Sequence, residues 1–526
     1  MSEGVSDMMQ PYSQNGSPYP QPVTKPKWFL QSHDRIFAWL MLPAGFLFVR
    51  YILFYADGLH TTVLFLLMHL AGSIYIRKTG SRPRLTHRIL SVIICIFTLS
   101  FPLTASPLLH GLCAAFLIPA MIWRVHSVCG GLPAVTQYLP LDLGESLMSD
   151  PLRYYSAGAQ VLSESGKQSR TAGAVRTALL GLLLMVPLTA VIAALLASAD
   201  TGVEHILNSL LSRVGGNAHL IFLQILLGIP LGLYFFAALY SASQRRFRQA
   251  HDNAYYEAKL AGARQIPLLA VCAGVTPVCL LYLLFIASQI SYYHSAFSGQ
   301  LPADMTFAEF ARRGFFELCA VAVINLVLLL VMNLLTKRSS EKRPVVLTFY
   351  SAFFCVVTLF IIIAALAKMV LYIDAYGLTQ NRVIASWFML LLALVFAVLL
   401  LKQCIRNIPA AVIIAAGGTA MLAGLCFARP DARIAEYNIA RYEAGTLDQL
   451  DAASLCALSE DAYTVMLRHP ETLEAAGQLD YVLSCAQERE QEIRTLNGRS
   501  SNLPAQLLLQ QLHTDTGHGL LLRRAS

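Results

Sequence analysis

Ionisable side chains inside apolar segments are the residues best placed to do chemistry in this chain. Each is costly in a bilayer and persists where it pairs with another group or lines a wet cavity. Arg50, Glu317 and Lys368 meet that description. Around them, charged and aromatic residues recur every four positions, the spacing of one helix face. One such set is Glu309, Arg313 and Glu317, with Arg312 alongside; the other is Lys368, Tyr372 and Tyr376. Gly377 can turn the chain after the second set, and Asp374 and Arg382 flank that turn. Two chemistries suit this constellation. Glu317 could pair with Lys368 or Arg50 as scaffold, or the group could line a polar cavity that binds a small polar ligand or holds a gate. For Tyr372 and Tyr376, an interfacial tyrosine belt with a basic anchor carries equal weight.

Other chemistries have less footing. The sequence holds no C-x-x-C pair, H-E-x-x-H, G-x-x-x-x-G-K-[ST], G-x-S-x-G or G-x-G-x-x-G. A nucleotide-driven or nicotinamide mechanism therefore lacks its usual phosphate cradle. No catalytic residue is assigned, no cofactor is expected, and the reading leans away from an enzyme. His60, His110, His205, His219 and His294 are scattered without ligand spacing, so no metal site is expected either.

The elements that must position these residues follow from composition. The chain of 526 residues is 56% hydrophobic and 13% charged, about half the charged share usual for a soluble protein. A bilayer core needs roughly 20 apolar residues per helix, because lipid cannot satisfy backbone polar groups. Eleven segments qualify: 36–56, 59–76, 89–104, 107–123, 177–199, 218–243, 265–290, 314–336, 345–372, 383–401 and 408–428. The third and fourth are short and could instead form a tilted or re-entrant pair around Pro102 and Pro107. The fold class expected is all-α, a polytopic helical membrane protein of about 11 transmembrane helices.

Lys and Arg crowd the loops of one side, while the opposite loops hold only Arg213, Arg312, Arg313 and Arg382. The crowded side should be cytoplasmic, with the N-terminus inside and a small helical C-terminal domain outside. The net charge of +8 then reflects orientation rather than a nucleic-acid partner. Residues 1–35 read as a disordered cytoplasmic arm, 36–428 as the membrane domain with a linker-like cytoplasmic loop at 124–176, 429–496 as the helical tail domain, and 497–526 as a flexible end. Cys456 and Cys485 both fall in the tail and could form one disulfide in an oxidising compartment.

Two charged segments, Glu309-Phe-Ala-Arg-x-Gly-Phe-x-Glu-Leu318 and Tyr372-x-x-x-Tyr-Gly-Leu-Thr-x-x-Arg382, resemble an uncharacterised bacterial family of multi-pass membrane proteins, the domain of unknown function of four-one-seven-three type. Asn438-Ile-x-Arg-Tyr442 and Leu458-Ser-x-Asp-Ala462 in the tail resemble the same family's end. The resemblance covers about 176–462 and implies an architecture in a bacterial cytoplasmic membrane without an established activity. Three functions stand open. One is a transporter or permease component, or a sensor, with a charged outer-leaflet site; another is a membrane enzyme acting on a lipid or lipid-linked sugar at the outer face. The third is an assembly partner whose tail docks another protein. In each case the lipid bilayer is a partner.

Overall fold

Long apolar runs leave the backbone one economical solution in lipid, the hydrogen-bonded helix, and the computed structural model of the chain is helical accordingly. It describes residues 30–54, 58–164, 218–245, 253–298, 315–337, 344–405, 407–495 and 502–518, with isolated positions between 185 and 203. Among the described residues there is no strand beyond a single bridge between Ile266 and Thr336, and ten helices are long and apolar enough to cross a membrane. The segment expected as a span at 177–199 lies largely outside the described residues.

The spans of the N-terminal half are α1 (Ser32–Phe54), α2 (Gly58–Lys78), α3 (Leu85–Leu103) and α4 (Pro107–Cys129). Short helices α5 (Leu139–Gly144), α6 (Asp150–Arg153) and α7 (Tyr155–Glu164) follow, then the span α8 (Ala218–Arg245) and α9 (Asn253–Ala263). The remaining apolar helices are α10 (Leu268–Ser298), α11 (Phe315–Leu335), α12 (Val345–Tyr376), α13 (Gln380–Cys404) and α14 (Ala410–Phe427). The tail comprises α15 (Pro430–Glu443), α16 (Ala452–Cys456), α17 (Glu460–Met466), α18 (Pro470–Ala475), α19 (Leu479–Thr495) and α20 (Leu503–His518).

These helices form three cores. The first gathers α1, α2, α3, α4 and α8 around Phe65, Tyr75, Leu117 and Phe236, with Cys426 of α14 reaching into it. Its tightest seam is a small-residue crossing of α1 and α8, the arrangement by which membrane helices approach closely. A Cβ on Gly232 of α8 would sit 2.5 Å from the Met41 carbonyl oxygen, one on Gly228 2.6 Å from the Phe46 Cα, and one on Gly45 of α1 2.7 Å from the Gly232 Cα, so both helices need glycine there. The second core joins α10 to α13 around Phe354, Ile361 and Phe396. Within it, Tyr282 donates to Asn325, which donates to Thr358, a buried polar chain linking three helices. The third core is the tail, closed over Ile434, Tyr463, Met466 and Val482.

Three boundaries differ from the sequence-based expectation. The N-terminal arm was expected to run to residue 35, but α1 begins at Ser32, and Asp34 is buried because it accepts a 2.8 Å bond from the Tyr75 hydroxyl. The loop 124–176 was expected to be a linker. Instead α4 continues to Cys129 and α5 to α7 pack as short helices, with prolines at their first turns in α5 and α6, where the missing N–H costs nothing. Finally, residues 503–518 are helical rather than a loose end, and Ala505 and Leu508 are fully buried in the tail core. Their apolar spacing was too short to stand out in a sequence end rich in Gln. For spans three and four, the structure gives two separate helices meeting at 104–106.

Candidate functional site

The tail meets the membrane helices at two turns, and both meetings are built from motif residues. The first is the α12–α13 turn. Gly377 has φ of 72°, a conformation that glycine adopts without penalty. A Cβ there would also lie 2.5 Å from Asn438 Oδ1. That closeness is the point of the turn: Leu378 N donates to Asn438 Oδ1 at 2.7 Å, and Asn438 Nδ2 returns a bond to the Leu378 carbonyl at 2.8 Å. One side chain of α15 thus pairs with the exposed backbone of the turn as a strand neighbour would.

Arg382 secures the same turn from the other side. Its Nη1 donates to the carbonyls of Tyr376, at 3.0 Å, and Gly377, oxygens left over at the end of α12. The guanidinium lies 3.9 Å from the centre of the Tyr372 ring, which meets Tyr376 edge-on. Asp374 pairs with Arg441 of α15 at 3.1 Å. Arg441 also donates to the Thr446 carbonyl at 3.0 Å, tying the turn after α15 into the junction.

The second meeting is at the α3–α4 turn. Asp461, fully buried at the start of α17, accepts from Thr104 Oγ1 and Ala105 N, both at 3.0 Å, and from Arg429 Nε at 2.7 Å. Asp431 accepts from Ser459 Oγ at 2.7 Å and from Gln380 Nε2 at 3.2 Å. Gln380 also donates to Ser106 Oγ at 3.2 Å, so one amide at the start of α13 joins both turns and the tail.

Beside the first turn a cleft of about 830 Å³ opens between the tail and α12–α13. Tyr376, Arg382, Asp448, Asp451, Gln478 and Tyr481 are among its lining residues. Asp451 caps α16, accepting from Ser454 N at 3.0 Å and Ser454 Oγ at 2.5 Å. These bonds, with Arg382 nearby, hold its carboxyl below the usual range. The volume falls within the roughly 300–1,000 Å³ of small-molecule sites, and the lining is more polar than most.

The intramembrane charges stand beside different helices. Arg50, in the first core, donates to Gln224 of α8 at 3.3 Å and lies 6.0 Å from the Tyr51 ring centre. Glu317 and Lys368 belong to the second core, where the Glu317 carboxylate acts electrostatically on Lys368. Glu317 is exposed on its helix and Lys368 half-buried. Glu309, Arg312 and Arg313 lie outside the described residues. Of the flanking residues, Tyr372, Asp374, Tyr376, Gly377 and Arg382 all converge on the junction. Cys456 and Cys485 are neighbouring free thiols in the tail core; burial first, and then the bond to Cys485, push Cys456 up to about 12.

Sequence reasoning missed the polar assembly at the opposite end of the first core. Arg245 Nε donates to Asp150 Oδ2 at 2.8 Å with both side chains almost fully buried, and His126 Nδ1 lies 3.8 Å from the same carboxylate. Tyr256 donates to Asp142 at 2.6 Å and Lys259 to Glu145 at 2.5 Å. Burial pushes the Asp142 carboxyl up, with bonds from Thr136 and Tyr256 opposing it. Asp142 and Asp150 stand beside Pro140 and Pro151 in helix first turns. That is the available signal, and an aspartate near proline occurs in loops as readily as at helix starts. Among the described residues no group of three His, Cys, Asp or Glu could hold a metal ion.

No curated protein and no solved structure matches the chain. A family model does match, over residues 42–469, and its description is Domain of unknown function (DUF4153). The family number differs from that suggested by the motifs, and the match begins far before residue 176, but its character as an uncharacterised family is the one expected. It spans nine of the described apolar helices and the latter part of α1, with both turns and the tail motifs that clasp them; this chain belongs to the DUF4153 family.

Proposed function

We propose that the protein is a membrane-embedded binding component, of sensor or permease type and without nucleotide chemistry, whose ligand enters the cleft between the tail and the α12–α13 turn. One observation carries this reading: a cleft of about 830 Å³ is walled by the turn that Arg382 and Asn438 hold rigid. A ligand bridging Tyr481 or Gln478 on the tail to Tyr376 on α12 would load that turn, and α12 and α13 would carry the change into the bilayer. The bias of Lys and Arg toward the end opposite the tail favours a cytoplasmic N-terminus and an outward-facing tail in a bacterial cytoplasmic membrane.

Native mass spectrometry of the full chain released from its own membrane tests the reading. A small-molecule adduct should be present in the wild type and absent from Gln478→Trp, which fills the cleft. Adducts of equal occupancy in both, or none in either, would overturn it. Protease treatment of intact cells tests orientation: the tail should be cut and the N-terminal arm spared.

A further inference from the structure

We infer that the cleft takes a neutral saccharide, a proposal that rests on the binding role above and specifies its ligand class. The cleft joins two features that saccharide recognition needs. Tyr376 and Tyr481 line it from opposite partners, one on α12 and one on α19, and each is 47% exposed. An exposed aromatic ring accepts the apolar C–H face of a pyranose ring, and Tyr481 contributes its ring alone, since its hydroxyl already bonds Cys485. Asp448, Gln449 and Gln478 line the same cleft, the first two exposed and the third half-buried. Carboxylate and carboxamide groups accept and donate in pairs, the pattern that matches adjacent hydroxyls on a sugar.

The charge balance argues against ionic ligands. Two carboxylates, Asp448 and Asp451, face one guanidinium, Arg382. An anion would meet the excess acid. A compact cation would meet Arg382, and Asp451 is already committed to Ser454. A peptide added as a strand needs a sheet edge, and the described residues hold no strand beyond the Ile266–Thr336 bridge. A lipid chain needs a continuous apolar wall, whereas the apolar residues of this lining, Leu378, Leu447 and Leu450 among them, are interspersed with amides, carboxylates and phenols, and both Leu447 and Leu450 are buried. A polar, uncharged ligand with one flat apolar face satisfies all of these restrictions.

The test uses the full chain in lipid nanodiscs, since glycosidic detergents would compete. Isothermal titration is run with glucose, N-acetylglucosamine, maltose, cellobiose and chitobiose, and with glutamate, spermidine and inorganic phosphate as charged controls. At least one neutral saccharide should bind saturably, and Tyr481→Ala should weaken it at least about tenfold while Tyr481→Phe, which keeps the ring, retains most of the affinity. Unchanged melting of Tyr481→Ala separates lost binding from lost folding. If only a charged probe binds, and Tyr481→Ala or Gln478→Trp abolishes it, the saccharide assignment falls while the binding role stands. Saccharide binding unaffected by either substitution places the ligand elsewhere and overturns the proposal. With no heat from any probe the saccharide assignment also falls, and the adduct measurement alone then decides the binding role.

Discussion

The two ends of the helix assembly use charge in opposite ways. At the end away from the tail, Asp150 and Arg245 pair at 2.8 Å with side chains 7% and 3% exposed, closing α6 onto the last turn of α8. At the tail end, Arg382 and Asp374 stand near the surface and work on exposed backbone and on Arg441. The first arrangement pairs its charges directly in a packed interior. The second leaves a cleft, because its charges brace the walls rather than fill the space. Buried pairing therefore marks the scaffold here, and the half-exposed groups around a fixed turn mark the site.

The sharpest way to break this contrast is to remove one partner of the buried pair. Asp150→Ala leaves Arg245 uncompensated, and the expected loss is about 3–5 kcal/mol, read as a lower thermal midpoint and poor yield. Replacing both partners with apolar residues, Asp150→Leu with Arg245→Met, should recover most of that loss. If the single change is silent, the opposite end is no more a scaffold than the tail end.

Next in size is Asp461→Ala, which strips the α3–α4 turn of its acceptor and leaves Arg429 unpaired. Loss of charge-assisted bonds at a fully buried carboxylate should cost about 2–3 kcal/mol. The effect should appear as faster proteolytic release of the tail, with the apolar helices intact. Gly377→Ala follows, because a residue other than glycine at positive φ costs about 1–3 kcal/mol and its Cβ would press on Asn438. Here the expected change is local: the cleft loses a wall, so ligand affinity falls more than the melting temperature does.

Much of this organisation was legible in the sequence, and the failures have physical causes. Apolar runs report helices directly, so nearly every span is visible. The Tyr372 to Arg382 segment was flagged because its residue types and four-residue spacing are unusual in lipid, yet its partner could not be inferred: Asn438 is 60 residues away along the chain and speaks only through one backbone pairing. Depth groups Arg50 with Glu317 and Lys368, but depth cannot show that Arg50 bonds Gln224 of α8. The Asp150–Arg245 pair was invisible for a related reason. An arginine in the basic run at a span's end, beside Arg246 and Arg248, looks like an orienting charge, and an aspartate before proline looks like a turn, until packing brings the two together.

The smallest effect tests whether the cleft's own wall responds to pH while the opposite end does not. Bonds from Ser454 hold the Asp451 carboxyl below its ordinary value in the folded protein. A depressed carboxylate contributes stability that is complete above its unfolded value and is lost as pH falls through the lower folded one. Acidification through the carboxylate range should therefore loosen α16 and the cleft rim. The cap is worth about 1 kcal/mol at most at so exposed a position. Hydrogen exchange of the Ser454 amide should rise relative to its intrinsic rate over that window, and Asp451→Asn, which can still accept but cannot titrate, should flatten the response. If the amide's protection is the same across the window in the wild type, the Asp451 carboxylate is not what holds that wall, and the rim of the cleft is fixed by packing as the opposite end is.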